Sequence, residues 1–120
     1  MEIEKVIKAT SAQGSKIVHI KVEPCDIRID RQTIWGNPHY LADTTSHPAR
    51  VKCLLAYVAT MERSPKLVEK TSELRGKSLG CWCAPRMCHG DVLATLASVD
   101  TLEEKNQILL CWRKYLEELL

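Results

Sequence analysis

Apolar residues recur along this chain with two periods. In "KIVHIKV", Ile17, His19 and Lys21 alternate with Val18, Ile20 and Val22, and this β-branched run predicts a strand that Pro24 ends. Upstream, Ile3, Val6 and Ile7 form a short mixed run, read as a further strand broken at Gln13-Gly14. Ile27 and Ile29 alternate with Arg28 and Asp30 and predict a short strand; "KSLGCWC" predicts another. The helical period takes over in "TTSHPARVKCLLAYVATMER", where Ser46 is placed as N-cap and Val51, Leu54, Leu55 and Val58 fall on one face. Ser64-Pro65 opens a short helix that Gly76 stops, and another helix begins near Cys88 with Val92, Leu93, Leu96 and Ala97 as its buried stripe. Asp100-Thr101-Leu102-Glu103 predicts a cap, with Glu103 placed to answer it. The last helix then runs over about 101–120 with Leu109, Trp112, Leu116 and Leu119 in register. Strands separated by helices predict one α/β domain over residues 1–120, with a mostly parallel sheet flanked by helices.

Composition changes little in that picture. With 45% apolar and 27% charged residues, a chain of 120 builds a core without disulfide staples. Phe is absent, so three Trp and three Tyr carry the aromatic volume. A net charge of +2 is too weak to argue for duplex nucleic acid, which usually leaves a dense basic stripe, and it does not exclude a small anionic ligand. No apolar run reaches the roughly 18–20 residues that span a bilayer, and the N-terminus lacks a signal-peptide core. A cytoplasmic location is therefore expected, with Cys25, Cys53, Cys81, Cys83, Cys88 and Cys111 as thiols.

The chemistry concentrates in "LGCWCAPRMCHGDVL", which sets three cysteines and a histidine within nine residues. On a strand, Cys81 and Cys83 share one face and Trp82 takes the other. Cys88 and His89 then open a helix, where free N–H groups and roughly half a positive charge gather. Three readings stay open. Cys81, Cys83, Cys88 and His89 are ligands of zinc type, though adjacent Cys88 and His89 diverge by about 100° around a helix. Alternatively, Cys88 is a thiolate in an anion or nucleotide pocket, aided by Arg86 and His89. Finally, the cysteines are small apolar core residues, as expected of Cys53 and Cys111. The loop "RQTIWGNP" carries a matching set: Arg31 for phosphate, Trp35 to stack on a base, Asn37 to read a base edge. In the bland alternative Trp35 anchors the loop and Asn37-Pro38 caps a turn. Asp91, in the first helical turn, complements the helix dipole or orients His89.

Together "VEPCDIRIDRQTIWGNP" and "LRGKSLGCWCAPRMCHGDVLATLA" resemble the family called domain of unknown function 4326, small proteins common in bacteria and their phages, over about residues 17–97. The resemblance rests on Arg31, Trp35, Gly36, Asn37, Pro38, Cys81, Trp82, Cys83, Pro85, Cys88, His89 and Asp91. It implies a Rossmann-like domain and leans towards nucleotide or nucleoside chemistry. The chain departs from that pattern at Cys25, Asp30, Ile34 and His39.

The expectation is a nucleotide- or nucleoside-type site between the Arg31–Pro38 loop and the Cys83–Asp91 turn. In it Cys88 is the activated thiol, His89 the proton-transfer partner, Arg31 and Arg86 the phosphate ligands. The rival from another class is a non-catalytic, zinc-stabilised module that binds a protein or sequesters a ligand. Leu110 and Leu120, off the main stripe of the last helix, hint at a surface for a partner or a second copy, against the plainer reading of a packed terminal helix.

Overall fold

The computed structural model describes residues 16–39, 46–82 and 87–120. The elements are β1 (Lys16–His19), β2 (Ile27–Arg28), α1 (His47–Glu62), α2 (Pro65–Lys70), a 3-10 turn (Thr71–Leu74), β3 (Ser78–Cys81), α3 (His89–Ala97) and α4 (Leu102–Glu118). The strand expected around Ile3–Ile7 lies outside the described residues. The three described strands form one parallel sheet in the order β1-β3-β2. Ile17 and Ile27 both stand beside Leu79, and Val18 and Arg28 both stand beside Gly80. The architecture is thus mixed α/β, a small parallel sheet with helices, as the element order implied.

One connection needed the third dimension. β1 and β2 lie on either side of β3, so the chain between them has to climb over the central strand. The strand therefore stops at His19, earlier than the alternation through Val22 predicts. The amides of Val22 and Glu23 both turn back to the His19 carbonyl, at 3.0 and 3.1 Å. Val22 is left 75% exposed. The crossing passes over Gly80, where an added Cβ would lie 2.5 Å from Cys25 Sγ. Asp26 fastens the far side of the link: the Ser78 amide donates to its carboxylate at 2.9 Å, and the Ser78 hydroxyl donates at 3.2 Å. These bonds, the backbone one first, hold the Asp26 carboxyl below the usual carboxylate range.

The helices follow their local signals. Ser46 caps α1 by accepting the Ala49 amide at 3.2 Å. Val51, Leu54 and Val58 are buried as the period required, with Leu55 only partly covered. Gly76, at φ 75°, turns the chain after the 3-10 segment into β3. The cap of α4 sits one residue later than expected. Thr101 Oγ1 accepts the Glu104 amide at 3.1 Å, and the Glu104 carboxylate returns to the Thr101 amide at 3.3 Å. Asp100 pairs instead with Arg75 at 2.7 Å, so Glu103 answers nothing at the cap. Leu109, Trp112 and Leu116 are buried in the core shared by α1, α3 and α4. Leu110 and Leu120 stay exposed. Among the described residues no helix is long and apolar enough to cross a membrane.

Lys105 is the unusual member of this core. It is 1% exposed, and its ammonium donates to the carbonyls of Leu96 and Val99 at 2.7 and 2.9 Å. These carbonyls lie at and just beyond the C-terminal end of α3, a place that a cation suits. Burial, then the nearby charge of Arg75, nevertheless lowers its pKa from 10.5 to about 8.

Candidate functional site

Strands β2 and β3 end side by side, and the segments that continue them build the site. After β2, the Ile29 amide makes one more bond to Gly80 and the chain then folds into consecutive turns. Thr33 is the pivot: its amide and hydroxyl both donate to the Asp30 carbonyl, at 3.0 and 2.9 Å, and its own carbonyl accepts the Gly36 amide. The turns are tight enough that a Cβ on Gly36 would lie 2.5 Å from both Arg31 Cα and the Asp30 carbonyl. Helix α1 clamps the loop from outside. Tyr57 donates its buried hydroxyl to the Trp35 carbonyl at 2.9 Å, and Asn37 Nδ2 donates to the Cys53 carbonyl at 3.4 Å. His39 Nε2 meets Thr60 Oγ1 at 2.8 Å; that hydroxyl already donates to Ala56, so the imidazole is the donor. Burial, then the neighbouring Cys88 sulfur, pushes the Tyr57 phenol well above its ordinary pKa, so it remains a donor.

On the other strand, Cys81 ends β3 and Cys88 is the N-cap of α3. The Cys88 sulfur accepts the Gly90 amide at 3.3 Å, and Asp91 closes the box by accepting the Cys88 amide at 2.9 Å. The sulfurs of Cys81 and Cys88 are 3.4 Å apart. His89 reaches back across the sheet ends, its Nε2 2.6 Å from the Ile29 carbonyl, and its ring packs edge-on against Tyr57. A carbonyl only accepts, so Nε2 carries the proton, and any base chemistry at His89 is confined to Nδ1. This bond staples the cysteine segment to the start of the loop.

Between the two segments lies a cleft of about 320 Å³, lined among others by Asp30, Arg31, Asn37, Arg50, Trp82 and Cys88. It opens beyond the carboxyl ends of β2 and β3, where ligands of parallel sheets bind. Arg31 is exposed and donates to the His39 carbonyl at 2.9 Å, while Arg50 is buried against the same cleft. Asp30 is 6% exposed; its Oδ2 takes the Arg28 guanidinium and, at 3.4 Å, the indole N–H of Trp82. Burial works to raise this carboxyl, but the bonds from Arg28 and Trp82 and the charge of Arg28 outweigh it and hold it below the usual range.

The cleft gathers Arg31, Asn37, Cys81, Cys88 and His89 from the residues singled out in the sequence. Cys83 and Arg86 lie outside the described residues. Trp35 does not take part: it is 6% exposed and its indole packs in the core, because the turns around Thr33 tuck it inward. Asn37 and Asp91 both have structural bonds to keep, to α1 and to the helix cap. Cys88, expected as an activated thiol, is only 3% exposed. Cys53, expected in the core, instead lines the cleft. For zinc, Cys81 and Cys88 come together, but among the described residues no three His, Cys, Asp or Glu side chains are grouped for a metal ion.

Asp30, Arg50 and Trp82 were missed. Arg50 had a signal, since a cation four residues before Leu54 sits on the apolar stripe of α1. Trp82 and Asp30 were marked by the resemblance alone, as a motif residue and as a departure, and strand alternation assigned each to a face without saying what covers it. Two of the positions departing from the resemblance, Asp30 and His39, line the cleft.

The chain is 34% identical over 74 residues to a protein of Enterobacteria phage T4 described as "Uncharacterized 12.4 kDa protein in nrdA-td intergenic region"; the match covers 61% of this chain and 68% of that one. No solved structure matches. Residues 13–99, which hold the loop, the cysteine segment and all three described strands, match the family described as "Domain of unknown function (DUF4326)", and the chain belongs to it.

Proposed function

We propose that this protein binds a nucleotide- or nucleoside-type small molecule in the cleft beyond β2 and β3. The observation that carries the reading is the meeting of the two motif segments around one cavity holding both guanidinium and carboxylate groups. At about 320 Å³ the cavity stands at the lower end of the range of about 300–1,000 Å³ for small-molecule sites, which favours a mononucleotide over a dinucleotide. Arg31 and Arg50 supply the cations for an anionic end. The placement at the carboxyl ends of parallel strands is also what supports a Rossmann-like reading of the fold. Chemistry on such a ligand would fall to Cys88, whose sulfur takes an amide N–H at a helix N-terminus, an arrangement that favours negative charge there. His89 Nδ1 would be its proton partner.

Calorimetric titration with mononucleotides, their nucleosides and inorganic phosphate tests this. A mononucleotide is expected to bind, and Arg31→Ala to weaken it at least tenfold. Failure of every mononucleotide and nucleoside to bind at millimolar concentration overturns the reading.

One observation favours a second reading, the zinc-stabilised module. Two thiolates on a tetrahedral zinc stand about 3.8 Å apart, given Zn–S bonds of about 2.3 Å, and Cys81 and Cys88 are already at 3.4 Å. Elemental analysis of protein purified without added metal separates the two. One zinc per chain, lost together with the fold on chelation, supports the module. In that reading the exposed Leu110 and Leu120 on and beyond α4 would be the contact for a second copy, detectable as concentration-dependent sedimentation.

A further inference from the structure

Asp30 holds an acceptor with nothing to accept. Its Oδ1 is buried and, among the described residues, has no hydrogen-bond partner, while Oδ2 is shared between Arg28 and Trp82. The carboxyl stays ionised at neutral pH because those donors outweigh the effect of burial. It therefore has no proton of its own to offer. A buried carboxylate oxygen left without a donor is costly, and native chains retain few of them. This one belongs to a residue that lines the cleft.

Beside it stands an aromatic ring held in place yet uncovered. Trp82 lines the cleft and is 49% exposed. Three contacts fix its orientation: the indole N–H on Asp30, the edge of His19 at 5.9 Å between centroids, and Lys21 Nζ at 5.6 Å from the ring centroid. An indole N–H points outward in the ring plane, so Asp30 sits at the rim of the indole. A flat ring stacked on that indole, about 3.5 Å away, brings its own rim to the same carboxylate. Oδ2 then serves the indole and Oδ1 the stacked ring.

We infer that Asp30 and Trp82 form a base-reading subsite that selects nucleobases bearing an exocyclic amino group: adenine, cytosine or guanine. The reason lies in the single unpartnered oxygen. An amino group projects from the ring and reaches one acceptor cleanly. The N–H of a uracil-type ring is flanked by two carbonyls, and a carboxylate repels both. This inference rests on the mononucleotide reading above and gives it a substrate class.

Calorimetric titration of the full chain with CMP against UMP, and AMP against IMP, compares amino with oxo at one ring position. The amino member of at least one pair is expected to bind at least about tenfold tighter, because a site with an unmatched buried acceptor rejects the ligand that cannot donate. Asp30→Asn, which can turn an amide donor to the cleft, is expected to abolish or reverse the preference, and Trp82→Leu to weaken all mononucleotides alike. If Asp30→Asn does not fold, the wild-type ratios decide alone. Equal binding within both pairs overturns the inference and leaves the mononucleotide reading standing. Absence of any mononucleotide binding overturns both. A magnesium-induced rise in melting temperature that needs Asp30, without base preference, makes Asp30 a cation ligand and also overturns it.

Discussion

Raising the pH from 7 to 10 should stabilise this protein through one side chain. Lys105 is sealed in the core with its ammonium on the Leu96 and Val99 carbonyls, yet burial and the charge of Arg75 bring its pKa from 10.5 to about 8. Below pH 8 the folded and unfolded chains both hold the proton, and the fold carries the whole cost of burying the charge. Between about 8 and 10.5 the folded chain has lost it and the unfolded chain keeps it. The unfolded state then binds more protons, so stability rises with pH. At about 1.4 kcal/mol per pH unit, the full gain is about 3 kcal/mol, most of it reached by pH 10. Other groups titrate in this range, so the quantity to measure is the difference from Lys105→Met in urea unfolding at pH 7, 8, 9 and 10. At pH 7 the variant is relieved of the buried charge but leaves two carbonyls short of a donor, worth about 1–3 kcal/mol. Its stability should therefore lie near that of wild type. By pH 10 wild type should have gained about 2–3 kcal/mol on the variant. A flat difference across the series, or one falling with pH, would refute the account of Lys105 as a charge held against its own burial.

Three further outcomes follow from the site's geometry. Gly36→Ala should cost about 2 kcal/mol in denaturant unfolding, because its Cβ meets the backbone of Asp30 and Arg31; an unchanged midpoint would contradict the tight double turn. Tyr57→Phe should cost about 1–2 kcal/mol by stranding the Trp35 carbonyl, and a neutral result would mean that α1 does not clamp the loop. For Asp26, whose carboxyl is held below its ordinary 3.8, the contribution is present above that pH and lost as pH falls through the folded value. The stability gap between wild type and Asp26→Asn should accordingly narrow from pH 6 to pH 3, and a gap that stays constant would argue against the Ser78 bonds as its source.

Much of the fold is written locally. Ser46, Thr101, Gly76 and the apolar stripes of α1, α3 and α4 act through neighbours three or four residues away, so the chain alone shows where these helices begin and what they bury. The nearness of Cys81 to Cys88 and their place where a strand passes to a helix were legible in the same way, since the two are close in sequence. Even the error at the start of α4 is a shift of one residue, between two side chains that could each cap.

What only the tertiary structure decided is which groups face the cleft. Trp35 and Trp82 both stand in motifs beside loops, yet the first is sealed in the core and the second lies open, because burial depends on segments far along the chain. The order β1-β3-β2 and the climb over Gly80 follow from pairings across about fifty to sixty residues, which no local pattern states. The empty oxygen of Asp30 arises the same way: Arg28 and Trp82 take its twin, and one of those two arrives from another strand. Hydrogen-bond satisfaction is counted in space, and a residue's neighbours in space are set by the packing of the whole core.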